Sequence, residues 1–184
     1  RFLSKACFEV SFGHRGHCSY PGARRSIVCM QRTRALKVVA KTPHKVLEYA
    51  ASQDNFGEHS AHELGLDPTM VLKTLVVSNV QDPKKLALCC VPVSGHLSLK
   101  AAAKALGWKK AAMAELAQAE HATGYVVGGI SPLGTLKRLP VLLDATIEPL
   151  DAITVSAGQR GLSVQLAPTD LAKLTSGKFA PIGA

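Results

Sequence analysis

The stretch Thr123–Pro140, TGYVVGGISPLGTLKRLP, decides how the rest of the chain is read. Tyr125, Val126 and Val127 have the aromatic and β-branched character of a short strand, and they run straight into Gly128-Gly129 and then Ser131-Pro132-Leu133-Gly134. Backbone freedom is thus followed by stiffness and by freedom again. Glycine lets main chain approach a ligand or another segment closely, while Pro132 fixes its own φ and pushes Ser131 towards extended geometry. Two uses fit this pattern: a barrel corner where glycine relieves crowding, and a loop that lines a cleft with N–H groups and one hydroxyl. It is neither a Walker loop nor a dinucleotide fingerprint, because GxxxxGK followed by Ser or Thr is absent and so is GxGxxG.

Working outward, Met70–Ser78 (MVLKTLVVS) and Lys85–Val93 (KLALCCVPV) read as antiparallel strands around a turn at Gln81-Asp82-Pro83. Ser98 caps the clearest helix, which ends at Gly107, and a second short helix surrounds Ala114–Ala119. Before the hairpin, Thr33 caps a helix through Lys41, His44–Tyr49 alternates as a strand, Asp54-Asn55-Phe56-Gly57 is a turn, and a short helix stops at Gly65. After the glycine-rich stretch, Pro140–Ile147 and Ala152–Ser156 are strands. Ala157–Gly161 is a tight turn, Leu162–Leu166 returns, and Thr169 opens a last helix ending near Gly177. Strands come in runs with helices between groups rather than in regular βαβ units. The pattern predicts an α+β fold, a mixed and mostly antiparallel sheet curled into a barrel with flanking helices, over a doubly wound parallel sheet.

The chain has 184 residues, enough for one domain with a substantial core. No apolar run approaches the roughly 20 residues that cross a bilayer, and the expectation is a cytoplasmic, non-membrane protein. A net charge of +9 favours a polyanionic partner such as a nucleic acid, and a lysine-rich solvated surface explains it equally well. Residues 1–29 differ in composition and lack periodicity, so they read as an irregular leader outside a domain spanning 30–184. Cys7, His14, His17 and Cys18 lack the paired spacing of a zinc finger, and neither a metal nor a cofactor is expected. Cys89 and Cys90 are adjacent in a strand and should point to opposite faces as small apolar residues.

Candidate chemistry begins at Lys73, a lysine in an otherwise apolar strand. If it faces inward its ammonium needs an anionic partner or ligand; at an edge it simply meets water. Tyr49, Phe56 and Tyr125 are candidates for stacking on a base or ribose, or for ordinary packing. Lys137 and Arg138 follow the glycine-rich loop, where phosphates or solvent would meet them. No GxSxG elbow, HExxH or PCxxC signature occurs, and His59 and His62 lack a third ligand. An enzyme built from this sequence must work by positioning and backbone donors.

Val71–Val76, Gly124–Gly134, Lys137–Pro140 and Val155–Leu162, in that order and together with Asn55-Phe56-Gly57 and the Leu99–Gly107 helix, resemble the YbaK-like aminoacyl-tRNA deacylases across about residues 31–180. The pattern is most similar to the bacterial Cys-tRNA(Pro) deacylase branch. The resemblance implies a barrel-like domain related to the editing insertion of prolyl-tRNA synthetase, acting on the aminoacylated acceptor end of tRNA, with that synthetase as a possible partner. It places Lys73 on the 3′-terminal nucleotide with Thr74 beside it, and Tyr49 and Phe56 at the border of the aminoacyl-adenosine pocket. Gly128, Gly129 and Ser131 would cradle the ester carbonyl and Ser156 would form the opposite wall; Arg138, from its place after the glycine-rich loop, is a further substrate-binding candidate. In this branch the substrate's own cysteine thiol attacks its carbonyl, so the enzyme supplies no nucleophile. Ser163 stands where the family commonly has an acidic residue, and the turn between Tyr49 and Phe56 is slightly short. An Ala-tRNA(Pro) specificity and a non-catalytic module that binds tRNA ends beside the synthetase are the other readings.

Overall fold

The computed structural model describes residues 33–51 and 56–184. Its centre is a hairpin of β2 (Leu72–Asn79) and β3 (Asp82–Pro92), paired antiparallel with Val76 opposite Leu88. The apolar runs have a physical reason: both faces of the hairpin are covered. Leu72, Val76, Leu88 and Cys90 face the main core, whereas Val77, Ala87, Cys89 and Val91 pack towards Ala102 of α3 (Leu99–Ala105), which Ser98 caps through the Ala101 N–H. Cys89 and Cys90 therefore lie on opposite faces, and burial pushes each thiol up to about 12.

β4 (Ala111–Met113) pairs with β2 only at Val77–Asn79. On the far side β5 (Val141–Asp144) joins β3 in parallel and β8 (Lys178–Ala180) joins β5 in parallel. The second sheet is antiparallel in the order β1 (Lys45–Glu48), β7 (Leu162–Leu166), β6 (Ile153–Gln159). Its Ile153, Val155, Val164 and Leu166 complete the main core. One parallel bridge, Val71 to Thr154, joins the sheets. The expected barrel does not close among the described residues: β4 takes the end of β2's outer edge, β6 touches its beginning, and the edge between them has no strand.

Helix α1 (Arg34–Val39) is capped by Thr33, whose Oγ1 accepts from the Leu36 N–H. Helix α2 (Phe56–Leu64) stops at Gly65 with φ of 62°; α4 (Leu116–Thr123) leads into the glycine-rich stretch and α5 (Pro168–Thr175) covers the core with Leu171. Residues 52–55, which include part of the expected turn at Asp54–Gly57, and the leader with its Cys/His set lie outside the described residues.

The structure corrects three element expectations. Tyr125–Val127 is not a strand: Gly124, Gly128 and Gly134 all have positive φ, which breaks extended backbone on both sides, and the Val127 N–H is taken by Glu120 Oε1. β6 continues through Ala157 to Gln159 across a register shift at Gly158, leaving only Arg160-Gly161 for the turn. The strand from Val141 ends at Asp144, whose carboxylate accepts from the Thr146 N–H and starts a single 3-10 turn.

Candidate active site

The strandless stretch of β2 opens into a cavity of about 460 Å³. Both faces of this strand edge contribute to its lining, Leu72, Thr74 and Val76 from one and Val71, Lys73 and Leu75 from the other. On β2, Leu72 and Val76 belong to the main core, so Val71, Lys73 and Leu75 stand on the other face. On β6 and β7 the core takes Ile153, Val155, Leu162 and Val164, leaving Thr154, Ser156 and Ser163 on that same outer face; Ser156 and Ser163 sit directly opposite each other. The Val71–Thr154 bridge aligns the two faces into one floor with a lysine beside a group of hydroxyls. Lys73 is half-buried and, among the described residues, has no carboxylate within 4.0 Å. Thr154 is fully buried and its Oγ1 has no hydrogen-bond partner.

The other wall is assembled from distant segments. Gly128 has φ of 85°, and a Cβ there would lie 2.7 Å from the Phe56 ring. The Arg160 guanidinium is 4.7 Å from the centroid of that ring, and its Nε donates to the Val127 carbonyl at 2.9 Å. Behind them Arg34 donates to the carbonyls of Thr123, Gly124 and Gly134 and lies 4.6 Å over the Tyr125 ring, whose hydroxyl donates to the Leu133 carbonyl. Five anchors thus hold a segment without regular hydrogen bonding in one shape. Burial raises the pKa of Tyr125, against the opposing effect of the Arg34 charge, so the phenol stays a donor.

Six of the nine expected site residues line the cavity: Tyr49, Phe56, Lys73, Thr74, Gly128 and Ser156. Thr74 does so at the strand edge, with its hydroxyl 3.8 Å from Cys90 Sγ. Gly129, Ser131 and Arg138 do not line it. The Gly129 N–H is spent on the Val126 carbonyl, and its Cα packs so closely on Gln159-Arg160 that a Cβ would sit 3.2 Å from their backbone. Ser131 is fully buried, its Oγ accepting from the Leu133 N–H. Arg138 is exposed on the following loop. Among the described residues the N–H groups of Gly128 and Ile130, both in the lining, have no partner, so the loop offers donors there.

Sequence reading passed over Thr154 and Arg34. Alternation in ITVSAG, with Val155 in the core, carried a signal for Thr154; Arg34 bonds partners 89 to 100 residues away, beyond any local pattern. Among the described residues the cavity lining contains no histidine or cysteine, and Glu58 is its one acid. Among the described residues no group of three His, Cys, Asp or Glu is placed to hold a metal ion, and no helix is long and apolar enough to cross a membrane.

The α+β scaffold thus frames a cleft that offers a lysine, hydroxyls and a backbone donor. The chain is a member of the aminoacyl-tRNA editing domain family, whose model matches residues 55–174, and is an aminoacyl-tRNA deacylase by class. It is 40% identical over 156 residues, 83% of this chain and 93% of the relative, to an Enterococcus faecalis protein named "Putative Cys-tRNA(Pro)/Cys-tRNA(Cys) deacylase EbsC". A solved structure described as "a putative trans-editing enzyme for prolyl tRNA synthetase" superposes with a TM-score of 0.71 at 24% identity, covering 82% of this chain and 92% of that one. A scaffold protein from epitope backbone grafting matches with TM-score 0.71 at 21% identity, over 82% of this chain and 95% of that one. These two likenesses show the fold.

Proposed function

We propose that the protein edits in trans, releasing the amino acid from mischarged tRNA, with Cys-tRNA(Pro) as substrate. The observation that carries this reading is the cavity itself: about 460 Å³ lined by Lys73, the Ser156 and Ser163 hydroxyls and the Gly128 backbone, with no histidine or cysteine among its described lining residues. The terminal aminoacyl-adenosine enters with its nucleotide on Lys73 and its ring system against Phe56 and Tyr49. Its aminoacyl group points to Ser156, with Thr74 at the strand edge. The cysteinyl thiol then supplies the nucleophile. Its sulfur bonds to the ester carbonyl carbon, the bond from that carbon to the ribose oxygen breaks, and the thiol proton ends on the departing ribose hydroxyl. Water opens the resulting cyclic thioester.

The Gly128 N–H meets the developing oxyanion, an effect of about 3 kcal/mol for one well-placed donor. Holding thiol and carbonyl in line contributes roughly 7 kcal/mol or more in favourable cases. On this reading Gly129 and Ser131 support the loop's shape, Arg138 acts outside the cavity, prolyl-tRNA synthetase is the partner whose errors are corrected, and the work is cytoplasmic.

The test follows ester loss from Cys-tRNA(Pro), Ala-tRNA(Pro), Ser-tRNA(Pro) and Pro-tRNA(Pro). Preferential loss of the cysteinyl ester, with the seryl ester far slower, is the expected result. Equal loss of alanyl and cysteinyl esters would remove thiol assistance, and no loss above the spontaneous rate with tRNA still bound would leave a binding module.

A further inference from the structure

Behind the glycine-rich segment lies a second, open groove of about 640 Å³, lined by Thr33, Arg34, Gly124–Val126 and Gly158–Arg160. No acidic residue is among its lining. Two guanidiniums face it. Arg34 uses Nε and Nη2 on backbone carbonyls, and Arg160 uses only Nε, so Arg34 Nη1 and both Arg160 Nη atoms have no partner among the described residues. The groove continues onto a basic loop: the Leu136 and Lys137 N–H groups bond to the carbonyls of Thr123 and Ala122, which fixes exposed Lys137 and Arg138 beside Gly124.

Arg160 belongs to both sites. It covers Phe56, which lines the catalytic cavity, and it lines the groove, with only the ridge at Val126–Gly128 between them. A strand whose last nucleotide lies in the cavity meets Arg160 as it leaves. From there a run of unopposed cations leads away past Arg34 towards Lys137 and Arg138. Planar guanidinium donors suit phosphate oxygens, and among the described lining residues no carboxylate competes for them.

We propose that this groove binds the phosphodiester backbone of the single-stranded 3′ end of tRNA, with Arg160 at the junction with the cavity and Lys137 and Arg138 at its far end. The inference rests on the deacylase reading and adds the path of the RNA to it. It assigns the groove to backbone neutralisation, which carries no sequence information and sets affinity and its salt dependence.

Binding of uncharged tRNA(Pro) to the full chain, measured by fluorescence anisotropy over a series of salt concentrations, tests it. For single-stranded contacts the log–log slope should fall by about 0.7 in Arg160→Gln and about 1.4 in the Lys137→Gln, Arg138→Gln pair. Arg160→Lys keeps the charge but cannot reproduce the bond to Val127 together with the stacking on Phe56. It should keep the slope, whereas a purely structural Arg160 would lose as much affinity in Lys as in Gln without a change of slope in either. Gln159→Glu places an acid in the groove and should weaken binding most at low salt. Unchanged slopes in the Arg160→Gln and paired variants, with deacylation of Cys-tRNA(Pro) retained by the unsubstituted chain, would overturn the groove assignment alone. Absence of both tRNA binding and deacylation in the unsubstituted chain would overturn the groove and the deacylase reading together.

Discussion

Replacing Gly128 with alanine separates the two uses of glycine in the central segment. At φ of 85° an L side chain is strained, and its Cβ would fall 2.7 Å from two atoms of the Phe56 ring and 2.8 Å from a third. The strain amounts to about 1–3 kcal/mol. The ring has to move by most of an ångström to restore contact distance, which pulls it from under Arg160 and shifts the Gly128 N–H, which has no partner among the described residues. Loss of a single oxyanion donor lowers kcat by about 10²–10³-fold. Gly129→Ala differs in kind: φ lies outside the left-handed region, the N–H is already committed to Val126, and a Cβ would press at 3.2 Å on the backbone of Gln159 and Arg160. Backbone there cannot swing aside as a ring can, so the cost falls on folding. The assay is kcat for Cys-tRNA(Pro) deacylation beside Tm, where each kcal/mol is worth about 2–4 °C at this chain length. Gly128→Ala should lose kcat by two orders of magnitude with a modest fall in Tm, and Gly129→Ala should lose Tm with kcat within a few-fold. Full kcat in Gly128→Ala, or a kcat loss confined to Gly129→Ala at unchanged Tm, would refute the assignment of Gly128 as donor.

Lys73→Ala removes a half-buried cation with no carboxylate within 4.0 Å among the described residues, so tRNA-end affinity and kcat/KM should fall at least tenfold while Tm holds or rises; unchanged kcat/KM would take it out of the site. Thr154→Val deletes a buried hydroxyl without a partner and should be neutral or stabilising by about 1–2 kcal/mol in urea denaturation, and a loss of stability would show a partner that the geometry lacks. Burial raises the Cys89 and Cys90 thiols from 9.0 to about 12, so the folded state keeps protons that the unfolded chain releases. Stability should therefore be flat below pH 9 and decline towards pH 12 at up to about 1.4 kcal/mol per pH unit per thiol, and a chemical-denaturation series whose midpoint does not decline above pH 9 would contradict the burial of these groups.

How far the sequence could be read follows the range of the interactions. The β2–β3 hairpin was legible because two continuous apolar runs flank a turn, and both faces of that hairpin are buried. The cap at Ser98 and the stop at Gly65 were legible because each is a bond or a dihedral within one turn of the residue that signals it. Tyr125–Val127 misled because residue type favours a strand there, whereas three left-handed glycines and the reach of Arg34 across the chain override it. Ser131 and Gly129 drew attention for the right chemistry, but packing spends the hydroxyl on Leu133 and the N–H on Val126. Lys73 was found as a lone charge in an apolar strand, and its freedom from carboxylates is visible only once the neighbouring elements are placed.

The departure from a closed barrel and the presence of a site are one fact. Had β4 or β6 run the full length of β2, the outer backbone edge of Leu72–Leu75 would have been satisfied by a ladder and closed to a ligand. Because β4 stops at Val77, with the Ala114 N–H reaching as far as the Val76 carbonyl, and β6 touches only at Val71, the strand edge between them has no partner strand and lines the cavity. A gap of this kind needs a lid that no strand supplies. The glycine-rich segment provides it, held by Arg34 and Arg160 rather than by a sheet. The fold thus contributes an open strand edge, a lysine and a pinned backbone segment, and on the reading proposed above a cysteinyl ester held against them brings its own nucleophile.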